Sequence, residues 1–134
     1  MCLLCGCGTR RFLNLVASST PLSGQSYTVA QTRNLVGIGG TEQVFIIALY
    51  SGGNSAIDVT TETTFTSSNP SVVTVSPSGL LEVVAPYCNW ISATPPVVNQ
   101  AGIINVTATW EGHTTTIFVN VNSVAGCPGP ATQS

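Results

Sequence analysis

The feature that most constrains this chain is a rhythm of short β-branched and aromatic runs broken by turn clusters. Gln43 to Tyr50 is a run of this kind, and it stops at Ser51-Gly52-Gly53-Asn54. Thr64-Phe65-Thr66 precedes Ser67-Ser68-Asn69-Pro70. Val72, Val73 and Val75 precede Ser76-Pro77-Ser78-Gly79, and Leu80 to Val84 follows. From Ile103 to Trp110 the residues alternate. Ile104, Val106, Ala108 and Trp110 fall on one face, with Ile117, Val119 and Val121 repeating the pattern after Glu111-Gly112. A period of two with regular turns predicts half-buried strands in a sandwich or barrel. No stretch sustains apolar spacing of three and four, so helices are not expected.

Charge excludes several functions. Only 6% of the 134 residues are charged, against roughly 25% in an average domain. The cations are Arg10, Arg11 and Arg33. Three scattered arginines do not neutralise a phosphate run, so no nucleic-acid partner is expected. No stretch reaches the ~18 apolar residues of a membrane span. The neutral surface, rich in Ser, Thr and Asn, lacks the charge repulsion that keeps small proteins apart, and suits contact with other proteins.

The chain divides into a mixed N-terminal arm at 1–38, a regular β region at 39–122 and a Gly/Pro tail at 123–134. Only six residues precede Cys7, too few for a signal peptide, although Leu4-Cys5-Gly6-Cys7 has the look of a lipoprotein box. Residues 86–100 interrupt the β region with three prolines, Tyr87 and Trp90, and read as an inserted loop with few strand features. Long loops in compact domains are often functional, and these aromatic types are enriched at interfaces. The interaction candidates are therefore Phe12, Leu13 and Leu15 in the arm, and Tyr87, Trp90 and Ile91 in the loop. Trp110, near a hairpin tip, reads as a core or rim anchor.

Five cysteines leave at least one unpaired within the chain. Cys88 and Cys127 fall in apparent loops and are able to form one bridge. Cys2, Cys5 and Cys7 form a C-x₂-C-x-C cluster that suits zinc, an intermolecular disulfide or plain thiols. His113 is the single histidine, and a solvated turn position is expected for it. It leaves no base beside a nucleophile, the five acids are dispersed, and no phosphate loop opens a helix. Neither an enzyme nor a cofactor is expected. Asn105-Val106-Thr107 matches a glycosylation acceptor but sits mid-strand.

Several ordered motifs resemble the bacterial immunoglobulin-like domain family, group two. Phe65-Thr66-Ser67-Ser68-Asn69-Pro70-Ser71-Val72-Val73-Thr74-Val75 is the most specific, with Phe65 in the place of a Trp. Gly40-Thr41-Glu42-Gln43, Tyr50-Ser51-Gly52-Gly53, Asp58-Val59-Thr60, Ser78-Gly79-Leu80 and Ala101 to Ala108 follow the same family order. The resemblance spans residues 39–122 and departs from the family at 86–100 and at both ends. It implies an immunoglobulin-like β-sandwich of about seven strands and a binding or structural role, as in phage head and tail proteins and bacterial surface adhesins. The expected partners are neighbouring protein subunits: capsid or tail proteins, or like copies in an oligomeric assembly. A Met1 start without an export signal favours a virion surface. A bacterial cell surface is the alternative, and surface glycans stacked on Tyr87, Trp90 and Trp110 are a further one.

Overall fold

The computed structural model describes residues 11–51 and 55–122. In chain order the strands are β1 Phe12–Ser18, β2 Thr32–Val36, β3 Thr41–Gln43, β4 Phe45–Tyr50, β5 Ala56–Asp58, β6 Thr64–Ser67, β7 Val73–Val75, β8 Leu80–Val83, β9 Asn89–Ala93, β10 Pro96–Asn99, β11 Ala101–Trp110 and β12 His113–Asn122. A single 3₁₀ turn, Thr60–Glu62, lies between β5 and β6.

Two layers face each other. One pairs β1 with β4 and β4 with β5, and continues as β3-β8-β7. Only Val44 separates β3 from β4. It is wholly buried, and its N–H donates to the Gly79 carbonyl at 2.9 Å, so the layer is continuous. The other layer is β2-β12-β11-β6. With β3 and β4 taken as one, five strands of the first layer face four of the second, the two-sheet arrangement of an immunoglobulin-like sandwich with more strands than the seven expected. The chain is an all-β protein of that class.

The core follows from alternation. Leu15, Ala17, Ile46, Ala48, Leu81 and Val83 face Leu35, Ile104, Val106, Ala108, Ile117 and Val119 across the layers. Each fully buried Val, Leu or Ile contributes about 1.5–3 kcal/mol relative to exposure. Two tight turns hold the register. Glu111 and Gly112 both take positive φ, 48° and 81°, which gives a two-residue loop matched to strand twist. Gly79 takes φ 88°, and a Cβ there would stand 2.7 Å from the Val44 carbonyl oxygen, so a glycine is required.

The sandwich begins earlier than the sequence predicts. β1 belongs to the first layer and β2 to the second, where it runs parallel to β12 from Thr32↔Phe118 to Val36↔Asn122. β1 and β2, joined by a crossing segment at 19–31, are thus integral strands rather than an arm. Two polar side chains, half-buried Gln31 and buried Arg33, fix the crossing between layers. Gln31 Oε1 accepts from the Ala17 N–H at 2.6 Å, while its Nε2 donates to the Thr116 carbonyl at 2.7 Å. Arg33, 3% exposed, donates to the carbonyls of Ser18 (2.6 Å), Ala30 (2.9 Å) and Gln43 (3.1 Å), and to Glu42 Oε1 (2.8 Å). The crossing segment also covers the outer face of β1-β4-β5, where Leu22 and Tyr27 pack on Val16, Ile47 and Ala56. This second small core explains why four successive residues of β1, Leu15 to Ser18, are all buried.

Candidate functional site

The two ends of the sandwich differ in character. At one end β1 starts, β4 stops and the β11–β12 hairpin turns. Here Phe12 stacks on His113 with ring centroids 3.7 Å apart and meets Tyr50 edge-on at 5.9 Å. Trp110 lies within 6.5 Å of Tyr50 and is 6% exposed; its indole N–H donates to Glu62 at 3.3 Å. Trp110 is therefore a core anchor, as the sequence predicts. His113 departs from its predicted solvated position: it is half-buried because the Phe12 ring covers it.

This end corrects two interaction candidates. Leu15 is 3% exposed and faces the main core, and Phe12 is half-buried in the aromatic cluster. Neither presents a contact surface. Leu13 does, at 61% exposure, because the β1 register skips it between Phe12↔Tyr50 and Asn14↔Leu49 and turns it outward.

At the opposite end, the segment predicted as irregular loop is a β-hairpin. β9 pairs with β10 from Asn89↔Asn99 to Ala93↔Pro96, across a turn with a cis Thr94–Pro95 bond. The prolines hid this because Pro95 serves the turn and Pro96 begins the strand, places where a missing N–H is tolerated. The two strands form a sheet of their own, with no ladder to another strand among the described residues. Ile91 is 68% and Val97 43% exposed on it. Trp90 joins neither core cluster, and its indole Nε1 is buried without a hydrogen-bond partner among the described residues. No charged residue occurs between Glu82 and Glu111, so the whole hairpin is neutral.

Tyr87 and Cys88 lead into the hairpin. The Tyr87 ring packs on the core and lies over Gly102, where any Cβ would overlap it. Cys88 is disulfide-bonded. Its partner lies outside the described residues, as do the candidates Cys2, Cys5, Cys7 and Cys127. Tyr87, Cys88 and Asn89 form one wall of a cleft of about 540 Å³, and Asn69, Ser71 and Val72 form the other. Tyr87, Trp90 and Trp110 do not make one platform, since Trp110 stands at the far end and Trp90 does not line the cleft.

Sequence reasoning missed the cleft residues Asn69 and Asn89, exposed Val97, and the buried Arg33. For Arg33 a signal existed: it shares the inward face of Thr32-Arg33-Asn34-Leu35 with Leu35. Among the described residues no three His, Cys, Asp or Glu side chains converge, and no helix is long and apolar enough to cross a membrane.

No protein-family model matches this chain, and no curated protein matches it. Among solved structures it is similar to the crystal structure of a bacterial Ig-like domain containing GH10 xylanase from termite gut, at 15% identity and a TM-score of 0.44. That likeness covers 72% of this chain and 20% of the other.

Proposed function

We propose that this protein is a non-enzymatic structural or binding module of the bacterial immunoglobulin-like group-two kind, docked into a multi-protein surface assembly through its β9–β10 hairpin. A decoration or accessory protein on a phage head or tail is the assembly that suits it best. The hairpin carries the reading. It offers two edges that pair with no other strand among the described residues, and exposed Ile91 and Val97. A partner that covers it gains apolar burial without displacing any charge. The neutral Ser/Thr/Asn-rich surface supports the same role.

The test is incorporation into purified particles. Ile91→Asp combined with Val97→Asp should leave the circular dichroism spectrum unchanged and abolish incorporation. Incorporation at the wild-type level overturns the hairpin as the docking element. A deletion that probes the N-terminal arm should remove residues 1–10 only, because Phe12 onward is sheet.

A second reading, a bacterial cell-surface or extracellular module, is favoured by the Cys88 disulfide, since such bonds persist in oxidising compartments. Mass spectrometry of native protein tests this reading: a lipidated Cys7 start supports the cell surface, and an intact Met1 or Cys2 start argues against it.

A further inference from the structure

We infer that the cleft at the base of the hairpin is a separate binding site for a neutral sugar unit of a glycan. Its volume, about 540 Å³, falls within the range of small-molecule sites. Its chemistry narrows the occupant. No lining residue carries a formal charge, so nothing neutralises a phosphate or carboxylate ligand, and nothing supplies the anionic oxygens that a divalent cation needs. Amide and hydroxyl residues line both sides, Asn69 and Ser71 on one and Asn89 on the other, which is too polar for a lipid chain. Paired amides and hydroxyls beside an aromatic ring are the groups that recognise a polyhydroxylated ring with one apolar face.

The cleft is also held open by the fold. The Val84 N–H donates to the Val72 carbonyl at 2.8 Å and ties the two walls together just behind it. Asn69 closes the turn on its side: its carbonyl accepts from the N–H groups of Val72 (3.1 Å) and Val73 (3.0 Å), and its Oδ1 from the Ser71 hydroxyl (2.6 Å). On the other side Tyr87 is seated over Gly102. A site whose walls are fixed before binding loses less entropy to its ligand. The platform differs from a Tyr87, Trp90 and Trp110 trio, because Tyr87 alone of the three lines the cleft.

The experiment is an NMR titration of the full, oxidised chain with gluco-, manno-, galacto- and N-acetylglucosamine oligosaccharides, with inorganic phosphate and glucose 6-phosphate as charged controls. Saturable shifts confined to residues 69–72 and 85–89 are expected with at least one neutral oligosaccharide and not with phosphate. Ser71 and Asn89 are exposed, so both tolerate substitution. Ser71→Trp fills the cleft and should abolish the shifts; Asn89→Ala should weaken binding by about tenfold, the worth of one hydrogen bond. The inference is overturned if no neutral oligosaccharide shifts these residues, if Ser71→Trp binds like wild type, or if the phosphates bind there as tightly. Ile91→Asp with Val97→Asp should leave sugar binding intact, so failure here is separable from failure of hairpin docking.

Discussion

Replacing Arg33 with Met gives the most searching test of how the two layers are joined. The guanidinium is 3% exposed and reaches four acceptors contributed by β1, the crossing segment and β3. Methionine keeps the length and apolar stem but supplies no donor. A hydrogen bond to a charged group contributes about 1.5–3 kcal/mol, yet four that share one side chain do not add. Arg33→Met leaves three carbonyls without this donor, and at about 1–3 kcal/mol for a buried unsatisfied group, added incompletely, a loss of about 2–4 kcal/mol is expected. Against a typical domain stability of roughly 5–15 kcal/mol this is a large share.

Urea unfolding of the oxidised protein measures it as a lower midpoint at an unchanged slope. Arg33→Lys should recover little, because one ammonium cannot span acceptors on three segments. Glu42→Gln should cost no more than about 1 kcal/mol, since Glu42 is 39% exposed and the amide oxygen still accepts. Arg33→Met within about 1 kcal/mol of wild type would refute the reasoning. Glu42→Gln as damaging as Arg33→Met would instead make the ion pair, not the carbonyls, the fastening.

Two further substitutions probe the sandwich. Trp110→Ala removes the centre of the aromatic end and should cost about 3–5 kcal/mol in the same assay, with loss of near-ultraviolet dichroism. Gly79→Ala places a methyl against the Val44 carbonyl at a positive φ and should destabilise by about 1–3 kcal/mol; an unchanged midpoint would mean that the β7–β8 turn relaxes freely.

Most strands at 43–83 and from Ile103 onward were legible, either by alternation or as β-branched runs bounded by turns. Ile104 to Trp110 and Ile117 to Val121 alternate as their burial does, and the glycine at 79 marked its turn. Residues 12–36 were not legible, for two physical reasons. β1 is buried on both faces from Leu15 onward, so its alternation vanishes. In β2 an inward arginine occupies a place where an apolar residue is expected. The hairpin was legible as special but not as sheet, since its prolines argue against a strand unless their placement at the turn is known. Of the site residues, Ile91 and Leu13 lie on the surface, whereas Leu15 does not, because β1 is covered on both faces from Leu15 onward. The cleft depends on Asn69 meeting Asn89, a juxtaposition that no local pattern encodes.

The parallel alignment of β2 with β12 has a mechanical consequence. Phe12 lies at the aromatic end and Asn122 at the hairpin end, and β1 and β2 both run from the first toward the second. Tension applied between these two points slides β1 along β4 and β2 along β12. It does not peel either pair open from one end. The five registered positions of the β2–β12 ladder are then stressed together and must yield together. A domain held at one pole and pulled from the other meets that resistance in the ladder itself.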